Sequence, residues 1–114
     1  MAYDVNLAQK VRSGLGAATA FGELEMFGGW CATIAGNVAV GVLGGDLIVR
    51  VGAEDYDHAL SLRGARPFDY GGRPMRGWVF VDEEGTRDVR SLRRWIDRGV
   101  TFARTLPAKP VRRR

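Results

Sequence analysis

Among the 114 residues there is one cysteine, Cys31, and one histidine, His58. Thiol chemistry would need these two to meet, with a third group orienting the imidazole. No such group stands beside either in the sequence. A single cysteine also excludes an internal disulfide and any multi-cysteine zinc site. Cys31 reads as a small strand residue. His58, preceded by Glu54, Asp55 and Asp57 on a predicted helix, reads as a lone surface histidine. Carboxylates at Asp55, Asp57, Asp82, Glu83 and Glu84 are scattered, and Glu83-Glu84-Gly85 reads as a solvated turn. No catalytic residue, metal or cofactor is expected.

The arginines are more informative. In ARPFDYGGRPMRGW, residues 65–78, Arg66, Arg73 and Arg76 bracket Asp69 and Tyr70 in a segment held by two prolines and three glycines. A guanidinium is a planar fork suited to carboxylate or phosphate. One reading is contact with an anionic ligand or an acidic partner. The other is a structural turn in which Asp69 pairs with one of these arginines, and this is the favoured one.

A second set lies near the C-terminus. Residues 1–86 hold 7 basic and 11 acidic residues, net −4, whereas residues 87–114 hold 10 basic and 2 acidic, net +8. The overall charge of +4 is therefore a property of the last quarter. Arg87, Arg90, Arg94 and Arg98 share one face of a predicted helix, and Arg112, Arg113 and Arg114 follow. They could grip nucleic-acid phosphates without regard to sequence. The plainer reading is a solvated face and a charged tail.

The stretch MFGGW, Met26 to Trp30, has no phosphate-binding spacing: neither G-x-G-x-x-G nor G-x-x-x-x-G-K-[ST] occurs, and a strand follows it. Gly28 and Gly29 are expected to form a bulge, a sharp bend or a close backbone approach within a strand. Phe27 and Trp30 would then pack into the core on either side.

These residues need a scaffold. Asp4 can cap a first helix whose apolar face is Val5, Leu7, Ala8, Val11 and Leu15, stopping near Ser13 where glycines begin. Cys31–Ala35, Val38–Leu43 and Leu47–Val51 read as a three-strand meander with turns at Gly36-Asn37 and Gly44-Gly45-Asp46. Ala53–Leu62 reads as a short helix ended by Gly64 and Pro67. Phe68–Tyr70 and Gly77–Val81 read as strands.

In the last helix Val89, Leu92, Ile96, Val100, Ala103 and Leu106 form one stripe, bordered by Trp95 and Phe102 and stopped by Pro107. AKPVRRR reads as a disordered tail. The predicted class is α+β with an antiparallel sheet, in the order α-β-β-β-α-β-β-α. A domain over 1–109 is followed by a basic tail over 110–114.

A series of short motifs resembles a known family. Glu25-Met26-Phe27-Gly28-Gly29, the Gly36-Asn37 turn, Asp46-Leu47 and Arg50-Val51-Gly52 come first. Tyr56, Ala59-Leu60, Ala65-Arg66-Pro67, Gly72-Arg73-Pro74-Met75, Gly77-Trp78-Val79 and Phe102-Ala103 follow. The pattern is similar to the amino-terminal domain of the TfoX (Sxy) competence regulators, over about Tyr3 to Lys109. Trp30-Cys31 departs from it, where a smaller apolar pair would be expected.

The resemblance implies an α+β fold similar in outline to secretion chaperones. It further implies a non-enzymatic regulatory module, in a stand-alone version, acting through protein contacts. A protein partner is expected and a homodimer is compatible with it. With no signal-like N-terminus and no apolar run of roughly 18–20 residues, membrane insertion is not expected, and a cytoplasmic location is.

Overall fold

The computed structural model describes residues 3–16, 19–26 and 28–109. The chain is α+β, with α1 (Val5–Gly16), β1 (Gly22–Met26), β2 (Gly29–Ile34), β3 (Asn37–Leu43) and β4 (Asp46–Arg50). Then come α2 (Tyr56–Leu60), β5 (Ala65–Pro67), β6 (Trp78–Val81), α3 (Glu83–Thr86) and α4 (Val89–Arg104). The six strands form one antiparallel sheet in the order β1-β2-β3-β4-β6-β5.

Helix α1 opens as expected: the N–H groups of Asn6 and Leu7 donate to Asp4 Oδ1 at 2.9 and 3.1 Å. It does not stop at Ser13. Leu15 is fully buried and Arg93 donates to the Gly14 carbonyl at 3.2 Å, so packing against α4 carries the helix through two glycines.

The meander is present but begins one strand earlier than expected. All of β1 is exposed, so it has no buried face to announce it. Its signal was the strict alternation Glu23-Leu24-Glu25-Met26. Glu23 ties this edge strand to α1. Its Oε1 accepts from Trp30 Nε1 at 2.7 Å and from Arg12 Nε at 2.9 Å, and Arg12 lies 4.8 Å over the Trp30 ring. These two donors, Trp30 first, hold the Glu23 carboxyl below its usual range. The departure from a small residue at position 30 thus carries its own hydrogen-bond partner.

MFGGW is a hairpin rather than a bend inside one strand. Met26 pairs with Gly29, so the connection is Phe27-Gly28; Phe27 itself lies outside the described residues. The two glycines answer different needs. Gly28 adopts φ +78°, a left-handed conformation, with open space around it. A Cβ on Gly29 would collide with the Val42 carbonyl of β3. The one register irregularity between β2 and β3 lies instead at Ala32/Thr33. Gly28→Val and Gly29→Val are each expected to lose about 1–3 kcal/mol, by strain and by collision respectively. Denaturant midpoints equal to wild type for both would show that neither constraint holds.

Other boundaries differ from the sequence reading, among them the helix expected over Ala53–Leu62, which is α2 over Tyr56–Leu60 alone. The β2–β3 turn is Ala35-Gly36, because Asn37 is drawn into β3, where it is buried and its Nδ2 donates to the Pro107 carbonyl at 2.9 Å. The Lys109 N–H donates to the Ala35 carbonyl at 2.8 Å, so residues 107–109 are strapped onto that turn rather than trailing free. The strand expected at Phe68–Tyr70 is Ala65–Pro67, where pairing with β6 fixes the register, and a single 3-10 turn follows at Tyr70–Gly72. Glu83-Glu84-Gly85 is helical, because Asp82 accepts from the Glu84 N–H at 2.9 Å.

The main core lies between one sheet face and the helices, with Val11, Leu15, Val40, Val49, Leu92 and Ile96 among its members. A smaller cluster of Ile48, Phe68 and Phe80 sits on the other face, with Leu43, Met75 and Trp78 against it. In α4, Leu92, Trp95, Ile96, Val100 and Ala103 are buried; Val89, expected in the same stripe, is 85% exposed. No helix among the described residues is long and apolar enough to cross a membrane.

Candidate functional site

The arginines of the 65–78 segment do not converge. Arg66 leaves β5 beside Phe80, its guanidinium 4.7 Å from that ring, and donates to Asp46 at 2.7 Å. The hydrogen bond to Asp46, helped by the fields of Asp82 and Asp69, raises its pKa. Arg76 turns to α2, lying 5.1 Å over Tyr56 and 3.5 Å from Asp57. Arg73 and Asp69 are exposed and make no ion pair within 4 Å among the described residues. The pairing expected of Asp69 is made by Asp46 and Asp57, which come from β4 and α2 and are invisible as neighbours in sequence.

The predicted face of α4 is likewise divided. Arg87 pairs with Glu84 at 3.6 Å, and Arg98 donates to Asp55 at 3.1 Å while lying 5.4 Å from the Trp95 ring. Arg90 and Arg94 are exposed, with no ion pair within 4 Å among the described residues. Arg112, Arg113 and Arg114 lie outside the described residues.

Cys31 is fully buried in β2 beside Leu24 of β1, and burial pushes its thiol up to about 11. It is therefore protonated near neutrality and a poor nucleophile. His58 is exposed on α2, which packs against β5 and β6, and no hydrogen bond links it to Cys31. Among the described residues no three His, Cys, Asp or Glu side chains are grouped so as to hold a metal ion. Asp55, Asp57 and Glu84 are each engaged by an arginine, and Asp82 caps α3.

What the fold does assemble is a groove of about 850 Å³ between the Val51–Asp55 segment and α4. Its apolar floor is Val51 and the half-buried Phe102, whose ring lies 5.4 Å from the Arg50 guanidinium. Arg94, Asp97, Glu54 and the Asp55–Arg98 pair form its rim, with the hydroxyls of Thr101 and Thr105. The helical spacing 94-98-101-105 is what aligns these α4 side chains along one wall. Sequence reasoning reached Arg94 and Arg98 as members of a charged face. It missed Thr101, Thr105 and the Val51–Asp55 wall, because only the chain reversal after β4 brings that segment to α4.

Chemically the groove offers Arg94, which has no ion pair among the described residues, the carboxylates of Asp55 and Asp97 beside arginines, the Glu54 carboxylate, hydroxyls and an aromatic floor. Such a set can hold a polar, partly apolar surface. It contains no nucleophile beside a base.

Comparison with known proteins agrees with the motifs. No curated protein and no solved structure matches the chain. The family model described as the TfoX N-terminal domain matches residues 14–103, from the end of α1 to the last turn of α4. That span takes in the whole sheet, the hairpin at Gly28-Gly29 and every groove residue but Thr105, and the chain belongs to the TfoX N-terminal domain family.

Proposed function

We propose that this chain is a non-enzymatic regulatory module of the cytoplasm that works by holding a protein partner against the α2–α4 side of the domain. The observation carrying this reading is the groove itself. Its size falls in the range of binding clefts, its floor is apolar, and its rim bears both signs of charge with Arg94 left unpaired. Interfaces draw their energy from a few aromatic and arginine anchors, and Phe102 and Arg94 supply one of each.

A second reading, sequence-indifferent nucleic-acid binding, is favoured by the net charge of +8 over residues 87–114. It is weakened by the loss of Arg87 and Arg98 to the protein's own carboxylates. Binding through Arg90 and Arg94 alone would give a log affinity against log salt slope of only about −2, at roughly −0.9 per phosphate.

One experiment separates the two. The purified domain and its Arg94→Glu/Thr101→Glu variant are immobilised and exposed to native cytoplasm, with and without nuclease. Both substitutions are at exposed helix positions, so the thermal midpoint should not move. The expected result is a protein retained by wild type after nuclease treatment and lost by the variant. Retention that vanishes with nuclease, together with duplex binding at low salt, would replace the first reading by the second.

A further inference from the structure

The apolar stripe of α4 begins a full turn before the domain covers it. Val89, the first residue of the helix, is 85% exposed, while Leu92 and Ile96 on the same stripe are buried. Beside it runs a second groove, about 410 Å³, between α4 and α1, on the flank of α4 away from α2. Leu92, Ile96 and Val89 supply its apolar surface. Gly14 lowers its α1 wall, since a Cβ there would stand 3.1 Å from Ile96 Cδ1.

The charged side chains that line this groove are cations. Lys10 and Arg93 line it and no carboxylate does. Among the described residues Lys10 makes no ion pair within 4 Å; Arg93 is 3.6 Å from Asp97, which sits outside the lining, and donates to the Gly14 carbonyl at 3.2 Å.

We propose that the α1–α4 groove is a docking surface for an acidic amphipathic helix of a partner protein. A pair of helices with an apolar furrow between them accepts a third helix through anchors spaced i, i+3, i+4 and i+7. Val89 is the exposed apolar contact, at the mouth of a groove lined by the edges of the buried Leu92 and Ile96. The cationic rim selects a partner whose flanking positions are Glu or Asp, through complementary potential and faster encounter. A second copy of this chain is a poor occupant, because the same face would set Lys10 and Arg93 against their own equivalents. This surface is separate from the α2–α4 groove and does not depend on it.

The test uses three fluorescent synthetic helical peptides. One has leucines on one face and glutamates on the other, one has the same leucines with lysines, and one has the glutamates with alanines replacing leucine. Anisotropy titration of the full chain should show the first binding at least about tenfold more tightly than either control. Val89→Asp and Lys10→Glu should each weaken it by about tenfold or more, the range of an anchor residue. Both sites are exposed, and an acid at Val89 is favoured by the α4 dipole, so the thermal midpoint should hold. Equal binding of all three peptides, or indifference to both substitutions, would overturn the proposal. So would a homodimer in sedimentation that Val89→Asp dissolves, since the occupant would then be a second copy.

Discussion

Replacing Phe68 by alanine is expected to remove about 3–5 kcal/mol of stability, the cost of truncating a fully buried aromatic side chain. Phe68 is 0% exposed and is the largest fully buried side chain of the described residues. Its ring meets Phe80 edge-on at 4.7 Å and stacks with Trp78 at 5.9 Å. Its backbone is also committed: its N–H donates to the Trp78 carbonyl at 3.3 Å, and its carbonyl accepts from the Met75 N–H at 3.0 Å.

The residue therefore pins the 68–77 segment onto the sheet face opposite the helices, and among the described residues none of α1–α4 joins that cluster to close over the cavity its loss would leave. Urea unfolding monitored by tryptophan fluorescence provides the measurement. A loss below about 1 kcal/mol, the range of ordinary surface or peripheral changes, would mean that the second cluster contributes little and the segment folds back independently of it.

Leu92→Ala and Ile96→Ala should each cost about 2–5 kcal/mol, from lost burial plus the residual cavity. Both belong to the main core, where α4 lies across β3 and β4. Val89→Ala, one turn earlier on the same apolar stripe, and Arg90→Ala are expected to stay within roughly 0.5 kcal/mol, as exposed sites do. The contrast between Val89 and Leu92 is the informative part. Periodicity alone places both in the core, whereas the structure buries one and exposes the other. Equal losses at Val89 and Leu92 would show that the first turn of α4 is covered.

Much of the scaffold was legible in the sequence because its determinants are local. The 3.6-residue recurrence of Leu92, Ile96, Val100 and Ala103 is imposed by helix geometry, and all four are buried. Gly36 and the Gly44-Gly45 pair marked the β2–β3 and β3–β4 hairpins, since few other residues accept left-handed backbone cheaply, whereas Gly28-Gly29, expected to bend a single strand, forms the β1–β2 hairpin. Pro107 stands just beyond the end of α4, which it cannot continue for want of an N–H and a free φ, whereas Pro67 is part of β5 and lies well past the end of α2. The family resemblance rested on the same local motifs, and the match over residues 14–103 agrees with it.

Only the tertiary structure decided the rest, because it depends on residues far apart in the chain. Strand β6 enters between β4 and β5, a choice between pairings that local propensity does not distinguish. Edge strand β1 is stabilised from one side, so its residues carry no burial signature. Arg66 finds Asp46 and Arg98 finds Asp55, 20 and 43 positions away, which disperses two arginine clusters that looked coherent along the chain. Asn37 reaches Pro107 across 70 positions and turns an apparent tail into a strap. Side-chain charge and period are written residue by residue, but which charges neutralise one another is settled by where the backbone brings them.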